Sequence, residues 1–226
     1  MVIDEFERCI TKLEDTFRLK SENYFFTEKE LHSCFYSLCL QNDNFQFKNL
    51  NLVHTEYPTP FKTSVLRKYP FIKISPIHSK AMRSHIDLIL LNPNFIQWLK
   101  TNNKDIDVIK GLTNKYYPKY IKYFIETYVE FVNETKEPIL IYAVEFKYLR
   151  NEYEGSKYPI LSLKQDIEKL KKLQNFRLDF MKIRLPFVDK ILSYVFIESN
   201  RESIYQKIIS DQYFYRNSSL IKIVKR

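Results

Sequence analysis

Glycine is nearly missing from this chain, with only 2 among 226 residues. Glycine-cradled phosphate sites, of the dinucleotide-binding or P-loop kind, are thereby essentially excluded, because they need backbone that approaches the phosphate without a Cβ. Cysteine is scarce as well. Cys9, Cys34 and Cys39 are odd in number and match no zinc spacing, so they read as buried thiols in a reducing compartment. Long apolar runs are also lacking: no segment reaches the ~18 residues of a membrane span. The N-terminal Met1-Val2-Ile3-Asp4-Glu5 has no uninterrupted apolar stretch of the secretory kind. The sequence shows neither an internal repeat nor a low-complexity segment. These absences lead us to expect a soluble, intracellular protein with no membrane partner.

What is present is apolar, aromatic and basic. Hydrophobic residues make up 45% and aromatics 16%, enough for a sizeable core and too much for wholesale disorder. The formal charge of +9 favours a polyanionic partner, nucleic acid first. The length suits a single domain over 1–226.

Periodicity predicts the elements. Ile3, Phe6, Ile10, Leu13 and Phe17 repeat at helical spacing over residues 3–19. Thr27 and Glu30 form a capping-box pattern opening a second helix, with Leu31, Phe35 and Leu38 on its inner face. A strand over 50–60 is expected to stop at Pro58 and Pro60. Residues 61–80 read as a hairpin or basic loop, and Ile86 to Leu91 as a strand closed by Asn92-Pro93. A helical insertion is expected over 95–137, including a helix from Ile121 to Asn133. Ile139 to Tyr148 is the next strand, ending in the polar turn Arg150 to Gly155. Ser162, with Gln165 in the capping-box position, is expected to open a helix lined by Ile167, Leu170 and Leu173. A strand over Ile191–Ile197, a helix over Arg201–Asp211 and a short strand near Leu220–Val224 complete the chain. This order predicts an α/β fold with a central mixed sheet flanked by helices.

Two of these strands carry charges where apolar residues would be cheaper. Glu145 and Lys147 are two apart on one strand and therefore share a face. Asp87 interrupts the apolar run Ile86 to Leu91. Two carboxylates beside a lysine, set in apolar strands, suit a divalent ion that neutralises a phosphodiester and activates water. Asp87 and Glu145 are the candidate ligands, helped by the Phe146 carbonyl, with Mg²⁺ or Mn²⁺ as the expected cofactor. Lys147 is the candidate to orient or deprotonate the water, or to steady developing negative charge. A buried Glu145–Lys147 ion pair, or strand ends that reach solvent, is the structural alternative.

Ile86-Asp87-Leu88-Ile89-Leu90, followed by Ala143-Val144-Glu145-Phe146-Lys147, resembles the ordered motif of the PD-(D/E)xK nuclease superfamily. The likeness covers roughly residues 27–197, with Gln165 to Leu170 similar to the helix that follows the Glu-x-Lys strand. It implies a restriction-endonuclease-like core, metal binding by Asp87 and Glu145, and a catalytic role for Lys147. It also implies an acidic residue from the first core helix, for which Glu30 is the best match, with Glu28 behind it. The chain departs from the pattern at Ile86, where the family has proline, and in the roughly 58 positions between Asp87 and Glu145.

Further candidates near the centre are Glu56, His85, Gln165 and Asp166. Lys62, Arg67, Lys68, Lys73 and Arg83, and separately Lys115 and Lys119, are interleaved with aromatics and are candidates for contact with a nucleic-acid backbone. The expected activity is metal-dependent cleavage of phosphodiester bonds, in DNA first, and a homodimer is compatible with cutting two strands. The alternative is a non-catalytic nucleic-acid-binding or structural protein on the same fold.

Overall fold

The computed structural model describes residues 2–20, 24–65, 72–75, 83–112, 117–149, 158–175, 177–178, 183–184 and 187–226. The chain opens with α1 (Val2–Leu19) and α2 (Glu28–Leu40). Two short antiparallel pieces come after them, β1 (Gln46–Phe47) and β2 (Leu50–Asn51), then β3 (Val53–Val65), β4 (Ile72–Ser75) and β5 (Arg83–Leu91). A helical segment is next, with α3 (Pro93–Thr101), a 3₁₀ turn over Ile106–Leu112 and α4 (Tyr117–Thr135). The remainder is β6 (Leu140–Leu149), α5 (Tyr158–Gln174), β7 (Arg177–Leu178), β8 (Ile183–Arg184), β9 (Val188–Ile197), α6 (Glu202–Ser210), α7 (Gln212–Arg216) and β10 (Ile221–Lys225).

Six strands make one mixed sheet in the order β10-β9-β6-β5-β3-β4. β10, β9 and β6 run parallel, while β6, β5, β3 and β4 alternate in direction. The parallel pairs need crossovers, and α5 and then α6–α7 supply them. Alternation along β6 sends Tyr142, Phe146 and Tyr148 toward α1 and α2, where they meet Phe6, Phe35 and Phe17. The intervening Glu145 and Lys147 meet α5, and Lys147 also reaches Glu28 at the start of α2. On that second face Leu163 and Ile167 pack with Leu149, Val195 and Ile197, and with Ile204, Ile208 and Phe214 of α6 and α7. The expected α/β architecture, with its flanked mixed sheet and helical insertion, is what the chain adopts. No helix among the described residues is long and apolar enough to cross a membrane.

Several boundaries differ from expectation for local reasons. β3 does not stop at its prolines; it runs on past Pro58 and Pro60 and forms a hairpin with β4. The pairing with β5 shifts register between Pro58 and Lys62, and such an irregularity accommodates residues that cannot donate to the ladder. α5 begins four residues before Ser162, at Tyr158, so Ser162 lies inside the helix and caps nothing. Pro159 fits the first turn, where a missing N–H costs no hydrogen bond. The helix expected over Arg201–Asp211 forms as α6, and a further short helix, α7, follows it, with Asp211 accepting from the Tyr213 N–H at their junction. The turn expected over 150–155 lies outside the described residues.

Candidate active site

The site is built where pairing between β5 and β6 ends. The two strands are antiparallel neighbours, and Leu88 pairs with Val144. One step further, Asp87 stands opposite Glu145. There the ladder gives way to a side chain: the Phe146 N–H donates to Asp87 Oδ2 at 2.7 Å. On the other side of β5, Thr55 pairs with Leu88 and Tyr57 with Ile86, so Glu56 of β3 also stands opposite Asp87. Three carboxylates thus form a row across three strands.

Glu56 interrupts its strand with φ 52°. The left-handed region is uncommon for a glutamate, and such a conformation typically costs about 1–3 kcal/mol, held by the surrounding structure.

α2 and α5 bring further charges to this end of the sheet. Lys169 Nζ lies 2.7 Å from Glu145 Oε1 and donates to the His85 carbonyl at 2.8 Å. Asp166, one turn earlier on α5, lies 3.2 Å from Lys147 Nζ. Glu28, in the first turn of α2, lies 3.4 Å from the same Lys147 Nζ and accepts from the Tyr148 N–H at 3.2 Å. Glu145 is only 3% exposed, and Lys169 is 8% exposed. A buried carboxylate without a cation would be strongly unfavourable, which is the physical reason for Lys169.

Burial pushes the Glu145 carboxyl well above the usual range, against the attraction of Lys169 and with the repulsion of Asp87. Burial likewise raises Asp87, although the Phe146 N–H and the charges of His32 and Lys169 work the other way. Glu28 is raised by burial, and Lys147 opposes that shift. Burial pulls Lys147 down, but the carboxylates of Asp166, Glu28 and Glu145 together leave it raised. A lysine held this firmly protonated is a poor proton acceptor for water. Of the two roles expected for Lys147, stabilising negative charge fits its surroundings better than deprotonation.

A second group of donors meets at Asp87. His32, Glu56 and Asp87 each offer one ligand atom, and these atoms all lie within 4.8 Å of one another. His32 comes from the buried face of α2, with its ring edge-on to Phe146 at 5.2 Å between centroids. Two carboxylates and an imidazole are a donor set that fits a divalent ion. Beside them, a cleft of about 330 Å³ opens between α2 and β3, lined by Lys29, His32, Ser33, Tyr36, Thr55 and Glu56 among others.

Asp87, Glu145, Lys147, Glu56 and Asp166 therefore gather at one end of the sheet. Gln165 is the half-buried neighbour of Asp166, and His85 contributes its carbonyl while its side chain is exposed. Phe146 serves this end through its N–H; its ring is buried on the opposite face. Glu30 takes the capping-box place that its spacing from Thr27 predicts. Its carboxylate accepts from the Phe26 and Thr27 N–H groups, while the Thr27 side chain accepts from the Glu30 N–H, which completes the capping box. The acid of α2 that reaches the cluster is Glu28. Of the basic candidates, Arg67, Lys68 and Lys115 lie outside the described residues. For Lys62 on β3, Lys73 on β4, Arg83 on β5 and Lys119 on α4, only the backbone position is described.

Two members were missed by sequence reasoning. His32 follows Glu28 by four residues and Lys169 follows Asp166 by three, spacings that place each pair on one helix face. That spacing was a readable signal, but only once the second member of each pair was known to face the strands. Comparison with known proteins finds no matching family model, and neither a curated protein nor a solved structure matches the chain at a significant level.

Proposed function

We propose that this protein is a metal-dependent nuclease of the PD-(D/E)xK kind that hydrolyses phosphodiester bonds in DNA. One observation carries the reading: Asp87 and Glu145 oppose each other on neighbouring strands, despite the long insertion between them, with Lys147 two residues beyond Glu145. Such an arrangement is costly for folding, since the carboxyls are desolvated and crowd one another. Mg²⁺ or Mn²⁺, when bound, would neutralise the scissile phosphate and lower the pKa of a bound water. Asp87 is the carboxylate best disposed to hold it, with Glu145 as its acidic neighbour. Lys147 would face the charge that builds on the phosphate, oriented by Asp166 and Glu28. Lys169 would keep Glu145 in place.

The test is cleavage of plasmid and oligonucleotide DNA with and without Mg²⁺ or Mn²⁺. Asp87→Ala, Glu145→Ala and Lys147→Ala are each expected to abolish metal-dependent cleavage while circular dichroism stays folded. Full activity in Glu145→Ala would overturn the reading. A second reading has its own support, because Glu145 and Lys147 are both engaged by residues of the chain itself. A non-catalytic nucleic-acid-binding protein would show metal-independent binding that falls steeply with salt, and no cutting.

A further inference from the structure

Building on the nuclease reading, we propose that His32, Glu56 and Asp87 form a divalent-cation site that selects Mn²⁺ over Mg²⁺. The three ligand atoms converge from α2, β3 and β5 and lie within 4.8 Å of one another. Two donors on one ion of this size stand about 3–4 Å apart, so only a small adjustment closes the set. Glu56 is the exposed member of the three and supplies that adjustment.

The observation that points to a ligand is His32 itself. The residue is 7% exposed, and its Nε2 is buried without a hydrogen-bond partner. A buried imidazole nitrogen is ordinarily hydrogen-bonded, and one left alone beside two carboxylates is provided for by a metal. The left-handed backbone of Glu56 is a second sign that this part of β3 is shaped for something other than pairing. The cleft lined by His32 and Glu56 gives an ion a route from solvent.

The nitrogen decides the ion. Mg²⁺ takes oxygen donors almost exclusively, whereas imidazole suits the first-row transition metals, of which Mn²⁺ accepts carboxylates equally well. Asp87 belongs both to this site and to the pair with Glu145, so an ion bound here would stand at the edge of the proposed catalytic centre.

The experiment is a Mn²⁺ titration of the full chain after EDTA treatment, read as loss of the free-ion electron paramagnetic resonance signal. One Mn²⁺ per chain is expected. His32→Ala and Glu56→Gln should each weaken binding by at least about 10-fold, the lower end of what even indirect disruption of a metal site produces. Mg²⁺ should displace Mn²⁺ poorly from the wild type and more readily from His32→Asp, whose donors are all oxygen. If His32→Ala fails to fold by circular dichroism, His32→Gln is expected to give the same loss. Unchanged Mn²⁺ affinity in the folded His32 and Glu56 variants, or displacement by equimolar Mg²⁺, would overturn the site. Mn²⁺ bound through these residues by a chain that cuts no DNA would uphold the site and remove the nuclease reading. Cleavage lost in Glu145→Ala, with Mn²⁺ affinity indifferent to His32 and Glu56, would do the reverse.

Discussion

Replacing Asp87 by asparagine should make the metal-free protein more stable. The substitution keeps the shape of the side chain and an oxygen that can accept the Phe146 N–H, a bond of 2.7 Å. It removes a charge that burial disfavours, and with it the repulsion that raises Glu145. Opposed residues on neighbouring antiparallel strands hold their Cβ atoms about 5 Å apart. Like unit charges about 6 Å apart repel by about 3 kcal/mol at an effective dielectric of 20. Lys169 attracts both carboxylates and offsets much of this, so we expect a net gain of about 1 kcal/mol, within the range of stabilising site substitutions. For a chain of this size that corresponds to a Tm about 2–4 °C higher. The pH dependence is set by the raised folded-state pKa of Asp87. Its penalty is full above that pKa and vanishes below the unfolded value, where both states are protonated. The advantage of Asp87→Asn should therefore be largest at pH 7.5 and shrink as the pH falls through the folded pKa toward 4. Urea denaturation in EDTA at pH 7.5 and at lower pH measures it, and added Mn²⁺ should stabilise the wild type but not the variant. A variant destabilised by more than about 1 kcal/mol at pH 7.5, with no pH dependence, would mean that Asp87 is a structural carboxylate; the size of that threshold is one typical hydrogen bond.

Lys169→Met should have the opposite sign, costing about 3–5 kcal/mol at pH 7.5 because Glu145 is left buried without its cation. The loss should shrink under acid, since Glu145 with a raised pKa escapes by protonation; urea midpoints at pH 7.5 and 5 check both statements. Glu30→Ala should cost about 1 kcal/mol through the lost capping box while sparing cleavage, and Glu28→Ala should impair cleavage; melting curves and a plasmid assay on the same two variants separate cap from site. DNA binding by the inactive Glu145→Ala variant should weaken steadily with salt, the slope of log K against log salt counting the phosphates contacted; a flat dependence would remove the basic stretches from the interface.

The sequence by itself determined the layering and the identity of the charged strand residues. The stripe from Phe6 to Phe17 and the capping box at Thr27 and Glu30 are local patterns, and they formed where local chemistry put them. The apolar runs around Asp87 and around Glu145 announced strands that bury something costly. Where local signals competed, the tertiary structure decided. Pro58 and Pro60 argue for a strand end, yet β3 carries them through a register shift because β4 and β5 still pair with the residues from Lys62 onward. Ser162 and Gln165 imitate a cap within a helix that had already begun at Tyr158.

The site divides in the same way. Asp87, Glu145 and Lys147 were legible because a charge in an apolar strand is conspicuous. His32 and Lys169 were not, and Glu28 stood only behind Glu30, because on a helix one polar residue looks like any other until the face it presents is known. The row of Glu56, Asp87 and Glu145 exists only through strand pairing: residues 31 and about 58 positions apart become neighbours when two antiparallel registers agree. Periodicity is a property of one segment and register a property of two, and no single strand carries the information that sets it.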